Sequence, residues 1–212
     1  GNMRDWVWQT AVGEDGKPVI AMVRISGGKT SHDYYYVKWN GTEWVKTFLA
    51  NGGGHFHQTA GLEMCYSGGM AIDPDNTNVM YCSVPVEGVF GKVYEIIKFT
   101  MNDDGALLSS EQITKNSLKN NVRPFVIPDS EGKDIRLIWM YGDYYDWIVS
   151  NAYGANGYCT AVHAEAKLPK ETVDTTDGIF AVEYYDDIDG AFRSTKETAN
   201  IVEANLDTEF TV

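Results

Sequence analysis

His55 and His57 stand one residue apart in GHFHQTAGLEMCYSGG (residues 54–69), and Tyr66 follows just ahead of Ser67-Gly68-Gly69. The chain holds only 4 histidines. Imidazole and phenol both take up and release protons, so this stretch supplies candidate general acids and bases. In a strand, side chains at i and i+2 share a face, so an extended GHFHQ points His55 and His57 one way and Phe56 the other. The glycines after Tyr66 permit a sharp turn and the close approach of a ligand. A free phenol titrates only near a pH of about 10. Use of Tyr66 as a base therefore calls for nearby positive charge, from Arg123 or a protonated histidine.

Arg123 lies in NNVRPF, beside the amide donors Asn120 and Asn121. Guanidinium matches the planar geometry of a carboxylate, and Pro124 biases Arg123 towards an extended backbone. The plainer reading is an arginine paired with one of the chain's 30 acids. The densest aromatic cluster is Trp139, Tyr141, Tyr144, Tyr145 and Trp147. Strand alternation places Trp139, Tyr141 and Tyr145 on one face, where a ring stacks on a sugar or packs in a core. Packing is the reading favoured for Trp139. A metal reading competes for the histidines. Cys159 and His163 sit four residues apart, and with His55 and His57 they make a three-nitrogen, one-sulfur set suited to a closed, structural zinc site. Against it stands a buried thiol and a strand histidine. DPDNTN and DDIDG lack the calcium-loop spacing and read as turns.

The elements that must position these residues are strands. The runs at 6–12, 18–26, 34–40, 43–50, 79–84, 93–100, 135–141 and 158–166 are rich in β-branched and aromatic residues, with Gly, Asn and Asp turns between them. LLSSEQITKNSLKN (107–120) is the best helix candidate and lacks an apolar stripe. DGKPVIAMVR (15–24), DNTNVMYCSV (75–84) and EGKDIRLIWM (131–140) share one plan of polar turn, apolar strand and a following aromatic-rich strand. The spacing is 60 residues from Asp15 to Asp75 and 56 from Asp75 to Glu131. Such a period predicts an all-β chain of four-stranded β-propeller blades, about three of them within residues 1–168. Three blades cannot close, so the expectation is part of a larger propeller, completed by missing blades or by self-association. A β-sandwich is the alternative. Residues 169–212 read as a polar linker followed by a C-terminal β segment.

Net charge is −13, which argues against nucleic acid and anionic membranes as partners. The 3 cysteines give no disulfide framework, and no apolar run is long enough to span a bilayer. The opening Gly1-Asn2-Met3 has the look of an expression remnant, so the lack of a signal segment does not argue for a cytoplasmic home.

YSGGMAIDPDNTNVMY (66–81), VYEIIKF (93–99), ITKNSLKNNVRPFVIP (113–128) and LIWMYGDYYDW (137–147) occur in that order. Together they resemble the BNR-repeat propellers related to ulvan lyases and similar polysaccharide lyases, over roughly residues 50–150. EANLDTEFTV at the C-terminus resembles the opening strand of a concanavalin-like jelly roll. The propeller resemblance implies a secreted or periplasmic protein that degrades a uronate-containing polysaccharide by β-elimination, with no required cofactor. It implies Tyr66 as acid/base, His55 or His57 as its helper and Arg123 on the uronate carboxylate. Asn121, Tyr141, Tyr144, Tyr145 and Trp147 would bind substrate, and Lys115, Lys119 and Arg136 would offset the acidic charge. The Asp-box keeps Asp103 and Gly105 but has Met101 and Leu108 where Ser and Trp belong. MYCSVPV (80–86) lacks an arginine that the resemblance leads one to expect there, which favours a non-catalytic glycan-binding module. A sialidase-like glycoside hydrolase is the third reading.

Overall fold

A computed structural model describes residues 3–54, 64–142, 160–166, 180–186 and 191–197. All the regular elements among them are β-strands: β1 (Arg4–Val12), β2 (Pro18–Ser26), β3 (Ser31–Trp39), β4 (Trp44–Asn51), β5 (Met70–Ile72), β6 (Val79–Gly88) and β7 (Gly91–Met101). They continue with β8 (Leu107–Gln112), β9 (Asn120–Val126), β10 (Ile135–Gly142), β11 (Thr160–Ala166), β12 (Phe180–Asp186) and β13 (Ala191–Glu197). Residues 107–112, the start of the best helix candidate, are strand β8.

The strands form antiparallel sheets in chain order: β1-β2-β3-β4, β5-β6-β7-β8, β9-β10-β11 and the hairpin β12-β13. The repeated stretches at Asp15, Asp75 and Glu131 lead into β2, β6 and β10, the second strand of each of the first three sheets. The third sheet has three described strands, where a four-stranded unit was expected. First strands adjoin in succession, β1 against β5 and β5 against β9. This is a β-propeller-like arrangement of side-by-side meanders.

The middle sheet is buried on both faces. Met70, Ile72, Met80, Cys82, Phe99 and Met101 pack against Val19, Val23, Ile25, Tyr34 and Tyr36 of the first sheet. Ala71, Val79, Tyr81 and Ile96 pack with Val126, Leu137, Trp139 and Tyr141 of the third. A strand covered on both faces needs an unbroken apolar run, which MAI and VMYCSV supply. In β2 only alternate residues are buried, because Val19, Ala21, Val23 and Ile25 face the core and Ile20, Met22 and Arg24 face away. Each fully buried aliphatic side chain, such as Ile72 or Leu137, contributes about 2 kcal/mol.

In such meanders the connections alternate between two ends. At one end the β1–β2, β5–β6, β7–β8 and β9–β10 turns come together: Lys38 pairs with Asp15, Asn78 donates to Asp103, and Asp75 accepts the Asp129 N–H. The connections β4–β5 and β8–β9 are at the other end, as are Gly142 and Thr160, the paired ends of β10 and β11.

Candidate functional site

Two of the three first strands, β1 and β9, depart from regular geometry where they flank β5. In β1, Val7 pairs with Met22 and Gln9 with Ala21, which leaves Trp8 as an extra residue. In β9, Val122 pairs with Met140 and Phe125 with Ile138, so Arg123 and Pro124 together oppose Trp139. Both are β-bulges, which re-aim side chains and recur beside functional sites. Pro124 has no N–H to lose at such a position. Arg123 is not extended, as its place before proline suggested, but left-handed, with φ of 55°. That conformation costs a non-glycine residue about 1–2 kcal/mol. It aims the Arg123 N–H at the carbonyl of Gly68, 2.7 Å away.

Between the bulges runs Tyr66-Ser67-Gly68-Gly69. Gly69 has φ of 106°, and a Cβ there would lie 3.1 Å from Trp8 and 3.3 Å from the Arg123 Cα. A Cβ on Gly68 would lie 2.5 Å from the Ser83 hydroxyl. The glycines thus make room for neighbouring strands rather than for a ligand. The Gly69 N–H donates to the hydroxyl of Tyr34, whose pKa burial pushes up.

What converges here is a chain of rings and one cation. The edge of Trp6 meets Tyr66 at 5.7 Å between centroids and 88° between planes. The Arg123 guanidinium carbon lies 5.6 Å from the Tyr66 ring centroid and 5.1 Å from that of Trp8. Both distances are within cation–π range. Arg4 adds a second guanidinium close by, donating to the Sγ of Cys65 at 3.9 Å. Tyr66 and Arg123 are both half-buried, so each is partly open to solvent.

Two residues before Arg123, Asn121 enters a polar network that the sequence reading missed. Glu95 is 1% exposed and accepts from the Thr114 hydroxyl, the Ser117 N–H and hydroxyl, and the Asn121 amide. Hydrogen bonds of this kind offset the desolvation of a buried carboxyl group. They fasten Thr114 and Ser117 of the β8–β9 connection, and Asn121 at the start of β9, onto β7. An acid inside the apolar run VYEIIKF was the available signal.

Asn121 is therefore corrected from substrate ligand to internal support. It is 0% exposed, its amide donates to Glu95, Ser117 and the Tyr94 carbonyl, and its oxygen accepts from the Trp139 indole. Tyr141 is likewise no sugar platform: it is buried in the second core and stacks on His163 at 4.2 Å. Trp139 is core, in line with the packing reading. Arg136 is not near Arg123 but at the opposite end, paired with Asp73 and Asp75. His55, His57, Tyr144, Tyr145, Trp147 and Cys159 lie outside the described residues. Of the four residues of the zinc reading only His163 is described; burial lowers its pKa. Among the described residues no three His, Cys, Asp or Glu side chains are grouped to hold a metal. Trp6 and Trp8 were visible in WVW but read as ordinary strand aromatics.

A cavity of about 1220 Å³ is at the other end, lined by Glu14, Asp15, Asp75, Asp103, Asp129 and Lys38 among others. Several of its carboxylates are engaged by turns. Asp75 accepts from the N–H groups of Asp129, Ser130 and Glu131 and from Arg136. Such a surface repels an anionic polymer.

No protein-family profile matches the chain, and no curated protein matches it. Among solved structures, one described as an ulvan lyase from a new family of polysaccharide lyases is similar, with a TM-score of 0.40 and 12% identity. The match covers 66% of this chain and 30% of that one, so this chain spans under a third of that protein's length.

Proposed function

We propose that this chain is a carbohydrate-active protein, a polysaccharide lyase that cleaves a uronate-containing glycan by β-elimination. The observation that carries the reading is the Arg123 guanidinium held beside the Tyr66 ring where the three first strands meet. In this mechanism Arg123 neutralises the uronate carboxylate, which acidifies the C5 proton. Tyr66 is the acid/base. As the C5 proton leaves, its electron pair forms the C4–C5 double bond and the C4–O bond breaks. The departing oxygen then takes up a proton. His55 or His57 assists one of these transfers, and Tyr144, Tyr145 and Trp147 line the binding surface. The sheets serve as consecutive blades of a larger propeller. The row Val7, Met22, Tyr35 and Phe48 on the outer face of the first sheet is the kind of surface a further blade covers. A secreted or periplasmic setting fits a polymer substrate.

The test is the ultraviolet absorbance of unsaturated uronate during incubation with alginate, polygalacturonate, glucuronans and ulvan. The expected result is a rise on one polymer that Tyr66→Phe loses while still binding it. Binding without any rise would leave a non-catalytic module. Cleavage to saturated ends would make the protein a hydrolase.

A further inference from the structure

We infer that Trp8 is a positioning residue that holds the Arg123 guanidinium in place for an acidic sugar. The inference rests on the reading of Arg123 as the carboxylate-binding group.

The argument begins with parity. In an unbroken β1, Trp6 and Trp8 would face the core, and Gln9 would face away. The extra residue at Trp8 lets the next position face inward as well. Gln9 then reaches β5, where its side-chain oxygen accepts the Ile72 N–H at 2.9 Å. Trp8 lies against Gly69, just ahead of β5, and its ring centroid lies 5.1 Å from the Arg123 guanidinium carbon. One inserted residue therefore anchors β1 to β5 through Gln9, next to the indole that meets the cation.

Arg123 shows the complementary distortion. Its own bulge and left-handed backbone carry the side chain over Trp8 and Tyr66. An unbranched, flexible side chain in water samples many rotamers, and fixing it beforehand removes that cost from binding. Flat rings suit guanidinium because it is planar and weakly hydrated. Trp8 also backs Gly69, where a Cβ would crowd it at 3.1 Å on a backbone with φ of 106°. A left-handed backbone at Arg123, with its cation within reach of two rings, marks preorganisation rather than generic packing.

The experiment uses the full chain with Trp8→Leu and the conservative Trp8→Phe. Two readouts are taken. The first is the Arg123 side-chain Nε–H resonance, assigned by its loss in Arg123→Lys, which aromatic ring currents displace. The second is affinity for ulvan compared with ulvan whose carboxyl groups have been reduced to alcohols. In the wild type the resonance is displaced and native ulvan binds more tightly. Trp8→Leu should return the resonance towards its ordinary position and cut the preference for native ulvan about tenfold. Trp8→Phe should move the resonance part of the way and keep most of the preference.

A resonance unmoved in both variants overturns the inference. So does a Trp8→Leu loss that is equal for the two polymers, since that is general damage. Should Trp8→Leu not fold, the Trp8→Phe resonance decides alone. A wild type that does not distinguish the polymers sinks the carboxylate role of Arg123, while the resonances still report whether Trp8 holds the side chain.

Discussion

The two ends of the sheets use charge in opposite ways. At the end with the acidic cavity, cations and carboxylates are bonded to one another and to turns: Arg136 to Asp73 and Asp75, Lys38 to Asp15 and Asn78. At the other end Arg123 is set against Trp8 and Tyr66, on a strand bent to put it there. The first arrangement satisfies turn N–H groups that would otherwise be unpaired, and such contacts report on folding. The second sets a cation against the faces of two rings, within cation–π range of both.

The sharpest way to break this contrast is to remove one cation from each end. Arg123→Ala should lower turnover on the responsive polymer by about a hundredfold or more, the scale of losing one transition-state charge contact. Its melting temperature should stay near that of the wild type. Arg136→Leu should do the reverse. It leaves the carboxylate of Asp73, 5% exposed, without its cation. Stability should fall by roughly 3 kcal/mol in urea unfolding, with turnover per folded molecule unchanged. If both variants lose stability and activity together, the ends are not separate in function.

Acid sharpens the same contrast more gently. Arg136, together with the turn N–H groups, holds the carboxyl of Asp75 below the usual carboxylate range. The N–H of Lys17 does the same for Asp15, and Arg24 for Asp5. Where a carboxyl pKa is lower in the folded state, the unfolded chain binds more protons on acidification. The stabilisation is complete above the unfolded value of about 3.9 and is lost as pH falls through the folded value. The melting temperature should therefore drop on titration below pH of about 4. Asp75→Asn should melt lower at neutral pH and show a shallower drop. An unchanged slope would mean that the β5–β6 turn does not contribute to acid unfolding.

How far the sequence was legible follows from how regular each part is. β2, β6 and β10 were readable because a polar turn before an apolar strand recurs at nearly constant spacing, and they are equivalent strands. The short β5 was read only as part of a motif, since MAI carries too little pattern to mark a strand. In the site, Tyr66 and Arg123 were picked out by residue type and by resemblance, and the structure brings their side chains together. Asn121 was misread because an amide beside an arginine looks the same whether it faces solvent or a buried Glu95. Trp8 was missed because a bulge inserts a residue without leaving a signature in the letters. Register exists only between strands, so the sequence of one strand cannot state it.

The smallest effect discriminates best between strain kept for function and strain kept for folding. Arg123 has φ of 55°, and alanine at that position would keep the same unfavourable backbone, whereas glycine adopts it freely. Neither replacement keeps the cation–π contacts, so that loss cancels in the comparison. Glycine also gains entropy in the unfolded chain, which reduces but does not reverse the advantage where φ is positive. Arg123→Gly should therefore be more stable than Arg123→Ala by about 1 kcal/mol, while the two lose turnover equally. The measurement is paired urea unfolding, with equal slopes required. Equal stabilities would mean that the bulge relaxes once the side chain is gone, and that Trp8 and Tyr66 hold the backbone of β9 through the guanidinium. A clear advantage for glycine would mean that Gly68 and Pro124 fix the backbone by themselves, with the strain present whether or not the cation is.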